Sequence, residues 1–270
     1  MELLNYLQYG FVIKALIAGS FIAVLCSVLG ILLVLRNMSM IGDGLSHMSF
    51  GAISLGMLLG VYPFFVAVPV VIAASWLIWR ITDKIKAYGD SAIGIVSAVG
   101  IAGGVILASL SGGFNVDLFS YLFGSILSIS QSELFITVFL STVILTMFLI
   151  LYHDLVAVTM DEEYAKISGI PAGRINSMLF ILTAVTVVMA TKAVGIMLVS
   201  SLLVIPAVSS LQLSRGFKMA FALSAFFSVV SVVFGIILSL LLDLPSGASI
   251  VAMNIIILFS TVIIKKTEIL

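Results

Sequence analysis

Long apolar runs dominate this chain. They extend for about 17 to 25 residues, the length that a helix needs to cross roughly 30 Å of hydrocarbon at 1.5 Å per residue. One such run, ALIAGSFIAVLCSVLGILLVL at 15–35, is apolar on all sides of the helix. A barrel strand would be about ten residues long and would alternate polar and apolar side chains. The sequence therefore predicts an all-α, polytopic transmembrane helix bundle that forms one domain over residues 1–270.

The composition agrees with a membrane protein and excludes other classes. Hydrophobic residues make up 62% of the chain and charged residues 9%, against roughly 45–50% and 25% in soluble domains. The net charge is zero and no basic block occurs, so nucleic acid is not expected as a partner. A single cysteine, Cys26, allows neither an intramolecular disulfide nor a thiolate metal cluster.

The apolar runs and the breaks between them predict about nine spans, with eight as the alternative count. The spans lie near 11–35, 40–60, 63–82, 91–111, 133–152, 174–191, 194–213, 217–242 and 246–264. Residues 113–130 are also apolar, but Gly and Ser interrupt them and the segment is too short to cross and return. We expect a re-entrant or short outer helix there.

The basic residues set the expected orientation. With the N-terminus outside, all of the 12 Lys and Arg residues except Lys14 and Lys192 fall on the cytoplasmic side, which agrees with the positive-inside rule. An odd number of spans then puts the C-terminus in the cytoplasm. Glu133 is expected at an outer boundary, where it would be solvated or would attract cations.

Asp43 and His47 stand out in the second predicted span, within MIGDGLSHMSFG, because ionisable groups are expensive in a bilayer. Residues at i and i+4 share one face of a helix. Counted from Arg36, His47 would lie about 16 Å deep. A carboxylate and an imidazole together suit a divalent transition metal. Since closed structural sites generally use four protein ligands, two ligands favour transient binding along a metal path.

Other interpretations of this pair remain open. Asp43 could cap a helix that follows the RNMSM break, with His47 hydrogen-bonded to it. The pair could also relay protons in a secondary transporter or channel that acts alone. An enzyme is disfavoured because the sequence contains no H-E-x-x-H motif, so we expect a non-catalytic protein.

The longest polar interruption, HDLVAVTMDEEYAKISGIPAG at 153–173, predicts a short helix at about 160–168. Thr159 and Glu162 have the spacing of a capping box, and Gly169 predicts the end of the helix. Three large side chains would share one side: Met160, Tyr164 and Ile167. A helix on a membrane surface normally carries Lys and Arg, whereas this one starts with three acids. A protein partner is therefore favoured over a solvated loop helix.

Five motifs, in order along the chain, resemble the membrane permease subunit of bacterial ABC importers for free transition-metal ions. They are LRNMSMIGDGLSHMSFGAISLG at the second span, YLFGSI at 121–126, DEEYAKISGIP in the loop, GIMLVSSLLVIPA at 195–207, and PSGASIV at the opening of the last span. The resemblance covers nearly the whole chain. It implies import of zinc, or alternatively of manganese or iron, across the bacterial plasma membrane.

The resemblance also implies roles for individual residues. Asp43 and His47 would line the metal path. The loop helix would be the coupling helix that seats in a cytoplasmic ATPase subunit, through Asp161, Glu162, Glu163, Tyr164, Ala165, Lys166, Ile167 and Gly169. Residues of the gate or pore wall would be Tyr121, Leu122, Phe123, Ser200 and Pro206.

The implied partners are a second copy of the chain, a cytoplasmic ATP-binding subunit, and an extracellular or periplasmic metal-binding protein. The sequence supports the second of these independently, because it contains no G-x-x-x-x-G-K-[ST] phosphate-binding loop. Hydrolysis of ATP by that route would need a separate subunit. No permanently bound cofactor is expected, and the transported metal would be the ligand.

Overall fold

The computed structural model describes residues 9–84, 89–111, 116–124 and 126–269, and all regular structure in these ranges is helical. Residues 113–115 of the expected outer segment, and Ser125 of the YLFGSI motif, lie outside the described residues. The described chain forms 12 α-helices. They are α1 (Gly10–Leu35), α2 (Ile41–Leu58), α3 (Pro63–Lys84), α4 (Gly89–Leu110), α5 (Val116–Phe123), α6 (Gln131–Ile150), α7 (Tyr152–Met160), α8 (Glu162–Ile167), α9 (Ala172–Val194), α10 (Val199–Leu213), α11 (Phe217–Leu242) and α12 (Ser246–Ile269).

Each predicted span corresponds to one helix, which confirms the all-α polytopic bundle. Among the described residues, seven helices are long and apolar enough to cross a membrane: α1, α3, α4, α6, α9, α11 and α12. The two remaining predicted spans, α2 and α10, do not meet these criteria, for different reasons. Helix α10 has only 15 residues, and the 18 residues of α2 include Asp43, His47 and several Gly and Ser. The count of nine spans therefore stays a prediction.

Two helices occupy the centre of the bundle. Within their most apolar stretches α1 and α9 are each 72% buried, whereas α3, α4 and α6 are 22–28% buried. Helix α9 packs against α3, α1 and α2. Because lipid offers no hydrophobic driving force between helices, the apolar surface that α3, α4 and α6 leave exposed can face acyl chains. The charged residues of α9 lie near its two ends, and its middle is uncharged.

Helix α5, of eight residues, and a 3₁₀ turn at Ile126–Ser128 lie between α4 and α6, as expected for a short helix that does not span. At this end of the bundle, glycines allow close contacts between backbone segments. Gly124 and Gly195 have φ of +79° and +95° and meet backbone to backbone, and a Cβ added at Gly247 would lie 2.1 Å from the Val194 carbonyl oxygen. No side chain fits there, so α5, α9 and α12 meet at their ends.

Helix α2 is held by an equally close contact with α4. A Cβ added at Gly100 would lie 2.5 Å from the carbonyl oxygen of His47, and one at Gly51 would lie 2.8 Å from the carbonyl oxygen of Gly100. Between two membrane helices, such small residues allow the backbones to approach and dispersion contacts to accumulate. The helix that carries Asp43 and His47 therefore has a fixed position against α4.

The loop at 153–173 differs in part from its prediction. Residues Tyr152–Met160 continue as helix α7, so Thr159 is a helical residue and its hydroxyl donates to the Leu155 carbonyl oxygen at 2.6 Å. The predicted capping box was wrong. Asp161 caps α8 instead, accepting from the Tyr164 N–H at 2.9 Å. The predicted end of the helix is confirmed, because Gly169 has φ of +85° and residues there form a Schellman motif.

The contact between α2 and α4 can be tested with two glycines of the same helix. Gly100→Ala should lower the free energy of unfolding by about 1–3 kcal/mol, because the methyl group would force the α2 and α4 backbones apart. Gly94→Ala is the matched control, since an added Cβ there meets nothing within 4 Å. SDS-induced unfolding of the detergent-solubilised chain measures both. Equal stability of the two variants would contradict the proposed packing.

Candidate functional site

Asp43 and His47 form a pair on one face of α2. The His47 Nε2 and Asp43 Oδ1 atoms are 3.5 Å apart, and the side chains are 22% and 34% exposed, respectively. Two ligands that bind one tetrahedral zinc at its usual bond lengths stand about 3.4 Å apart. The pair can therefore share one metal ion with little rearrangement.

The turn before α2 changes the expected depth of the pair. Residues 36–40 are not helical, and Asn37 takes the left-handed conformation with φ of +58°. Since α2 begins at Ile41, His47 lies about 9 Å from the start of the helix, less than the 16 Å expected from Arg36. Asp43 lies in the first turn, where the helix dipole favours a carboxylate.

Asp43 is not the cap of this helix, so that alternative was wrong. The N-cap position belongs to Met40, and no side chain accepts a capping hydrogen bond there. The Ser46 hydroxyl donates to the Asp43 backbone carbonyl at 2.8 Å, and not to its carboxylate. The carboxylate of Asp43 faces the imidazole of His47, which leaves both groups in a geometry that a cation can use.

Of the two α10 residues expected at the pore wall, only Ser200 lies beside the pair's turn. A Cβ added at Gly42 would lie 3.3 Å from the Ser200 hydroxyl oxygen. That hydroxyl is buried and has no hydrogen-bond partner in the part of the chain that the structure describes. Pro206 is buried further along α10, and its role at a pore wall stays a prediction.

The remaining gate candidates cluster at the α5 end. Tyr121 lines an open cavity of about 410 Å³ together with Met57 and Lys192, and its carbonyl oxygen accepts from the Ile196 N–H at 3.0 Å. We call this the Tyr121 cavity. Leu122 is half-buried and Phe123 is 48% exposed. Because Met57 belongs to α2, the cavity and the Asp43–His47 pair share a helix.

A polar cluster beside the Tyr121 cavity was not predicted. Lys192 of α9 forms an ion pair with Glu133 of α6, and the Tyr62 hydroxyl donates to the same carboxylate oxygen. The Ser130 N–H donates to the second oxygen at 2.9 Å. The Glu133 side chain is only 15% exposed, so the expectation of a solvated residue was wrong. Burial, and the hydrogen bond to Glu133, raise the pKa of Tyr62.

At the opposite end of α9, the segment 152–171 that contains α7 and α8 presents an apolar surface. We call this segment the α7–α8 loop. Met160, Tyr164 and Ile167 are 67%, 68% and 86% exposed. Tyr164 and Ile167 share a face of α8 at i, i+3 spacing, whereas Met160 is the last residue of α7. The single helix predicted for all three side chains is therefore divided in two, and Ala165 between them is buried. Lys166 pairs with Glu162 at 2.6 Å, and this pair raises the pKa of Lys166. The exposed side chains resemble a surface that another protein covers.

The fold is a membrane-spanning helix bundle with an ionisable pair in one of its helices and an exposed helical loop at one end, which are features of a transport permease. Residues 8–265 match the ABC 3 transport family. The chain belongs to this family, so the family suggested by its motifs is confirmed.

Relatives and a solved structure cover nearly the whole chain. The manganese transport system membrane protein MntC of Halalkalibacterium halodurans is 31% identical over 91% of this chain and 84% of its own length. The high-affinity zinc uptake system membrane protein ZnuB of Haemophilus influenzae is 30% identical over 88% and 91%. The structure of PsaBC from Streptococcus pneumoniae in complex with Fab matches with a TM-score of 0.87 at 28% identity, over 96% of this chain and 94% of that chain.

The ion pair between Glu133 and Lys192 should contribute to stability. Lys192→Met is expected to lower the free energy of unfolding by about 1–2 kcal/mol. This loss is smaller than the loss on breaking a fully buried pair, because both side chains keep some contact with solvent. Glu133→Gln combined with Lys192→Met should cost less than the sum of the single changes. SDS-induced unfolding in detergent measures the cycle. Strict additivity would show that the two side chains do not interact.

Lys166→Met provides the control for this cycle. It breaks the pair with Glu162 on the exposed face of α8, where water screens the charges. The Lys166→Met variant should have the same unfolding midpoint as the unmodified chain.

Proposed function

We propose that this chain is the permease subunit of an ATP-driven importer that moves a divalent transition metal into the cell. The observation that carries the proposal is the Asp43–His47 pair, whose facing atoms are 3.5 Å apart on a helix of a bundle that belongs to the ABC 3 transport family. Two ligands hold a passing ion loosely enough to release it. The same two residues are too few for a closed structural site.

Zinc is the first candidate cargo and manganese the second. An imidazole nitrogen with a carboxylate oxygen suits zinc, while manganese prefers oxygen ligands. The names of the relatives support both, since MntC is named for manganese and ZnuB for zinc. The proposed function is the same for either metal.

The exposure of the pair supports assembly with a second copy. One-fifth of His47 and one-third of Asp43 stay uncovered on a single chain, and an uncovered ionisable pair facing lipid would be costly. A second copy that covers this face of α2 would remove the pair from lipid and add its own carboxylate and imidazole.

The α7–α8 loop is the proposed docking surface for a cytoplasmic ATPase subunit. Its exposed Met160, Tyr164 and Ile167 offer apolar anchors, and three acids beside them add charge for orientation. With this loop in the cytoplasm, α1 starts at the opposite face, because Arg36 at its end contacts α7. The N-terminus would then be outside, where a metal-binding protein could deliver cargo at the Tyr121 cavity.

Proteoliposomes that hold the chain with its ATPase and the loaded metal-binding protein test the proposal. They should accumulate zinc or manganese only when ATP is supplied. Asp43→Asn and His47→Ala should each lower uptake by at least about tenfold, since even residues that only orient a metal ligand typically contribute about 10–100-fold. Assembly with the ATPase, measured by co-purification, should be unchanged because neither residue belongs to the α7–α8 loop.

His153→Ala is the matched control, because His153 is the second of the two histidines and is exposed at the start of α7. Its uptake should equal that of the unmodified chain. Metal flux that follows an ion gradient without the ATPase would instead support the alternative, a transporter or channel that acts alone with the pair as a proton relay. Unchanged uptake in both pair variants would reject the site.

A further inference from the structure

Arg36 connects three separate parts of the chain at the loop end of the bundle. Its Nε donates to the Thr159 hydroxyl at 2.9 Å, one terminal nitrogen donates to the Asn176 side-chain oxygen, and the other reaches the Leu155 carbonyl oxygen at 3.5 Å. Thr159 and Leu155 belong to α7 and Asn176 to α9. We call these contacts the Arg36 clamp.

The Arg36 clamp lies between the α7–α8 loop and α2, the helix that carries Asp43 and His47. Arg36 caps α1 and starts the turn that leads into α2, and backbone hydrogen bonds from Asn37 and Met38 to α1 fix that turn. On the other side, Thr159 lies two residues before Asp161, which caps α8. A shift of α7 and α8 therefore acts on the turn that positions Asp43.

The positive charge of the Arg36 guanidinium makes its stability depend on the acceptors that surround it. Burial lowers the pKa of Arg36 to about 10, while the Glu162 carboxylate opposes this shift, so the guanidinium stays charged at neutral pH. A half-buried charge that loses its acceptors is destabilised. Beside it lies a cavity of about 340 Å³, lined by Arg36, Asp83 and Glu162 among others.

We propose that Arg36 is a positioning residue that transmits movement of the α7–α8 loop to the α2 helix that carries Asp43 and His47. The proposal rests on the proposed function, since it assumes an ATPase below and a metal site above. When the loop moves with its ATPase, the Thr159 and Leu155 acceptors on α7 move and draw Arg36 with them, and the turn before α2 follows Arg36. Metal affinity at the pair would thereby depend on the state of the ATPase.

A guanidinium suits this role better than an ammonium group. Its rigid fork of donors reaches three acceptors on two helices at once, whereas the lysine ammonium is a single point of charge on a flexible stem. Arg36→Lys should therefore keep the charge but lose the transmission, and should behave like Arg36→Gln.

The test uses the reconstituted complex of the chain, its ATPase and the metal-loaded binding protein, and measures metal uptake and ATP hydrolysis together. Arg36→Gln and Arg36→Lys should lower the metal transported per ATP by roughly fivefold or more, equivalent to about 1 kcal/mol at 1.4 kcal/mol per tenfold change. ATP hydrolysis should be largely retained. A merely structural role would lower both activities in proportion.

Thr159→Val, which removes one acceptor and preserves shape, keeps the proposal testable if the Arg36 variants fold poorly. It should produce the same loss of transport per ATP to a smaller degree. Combined with Arg36→Gln it should add nothing further, because both changes break the same clamp. Arg215→Gln, at an exposed arginine, is the control and should change neither activity.

Two results would overturn the proposal in distinguishable ways. If the unmodified complex transports metal and the clamp variants keep its ratio of metal to ATP, Arg36 has no role in transmission although the proposed function holds. If the unmodified complex shows no ATP-dependent uptake, the proposed function and the role of Arg36 fail together.

Discussion

The backbone contact between α2 and α4 is the constraint on which the site depends. Helix α2 carries two ionisable side chains and several Gly and Ser, so partition into lipid contributes less to its placement than for the other spans. Close packing compensates, because Gly51 and Gly100 let two backbones meet where no side chain fits. The contact includes the His47 carbonyl oxygen itself, so α4 supports the backbone of α2 at the residue that carries the imidazole.

The central helix α9 connects the two ends of the molecule. Asn176, near its start, accepts a hydrogen bond from Arg36, and Lys192, near its end, pairs with Glu133. The helix between them is largely buried and uncharged, and tightly packed interiors move as units because they deform little. The Arg36 clamp and the Glu133–Lys192 pair therefore lie at the two ends of the same buried helix.

The sequence predicted most features that depend on local patterns, although the capping box at Thr159 was wrong, and it missed those that depend on distant partners. Helix positions follow from apolar runs, and the end of α8 follows from Gly169, because each signal lies within a few residues. The contacts of Arg36 join residues 119–140 positions apart, and Glu133 and Lys192 are 59 apart. No local pattern indicates such pairings, so each residue looked like an ordinary boundary charge.

The Asp43–His47 pair could be found from sequence because an i, i+4 spacing is itself local, yet its chemistry is only half determined by one chain. Two facing groups at 3.5 Å offer two ligands to a divalent ion, and the ion needs four to six in all. Water can supply some, which suits a site that must release its ion. A second copy, as proposed, would supply the others and bury the exposed part of both side chains. The proposed transient binding and the proposed second copy thus follow from the same incomplete set of ligands.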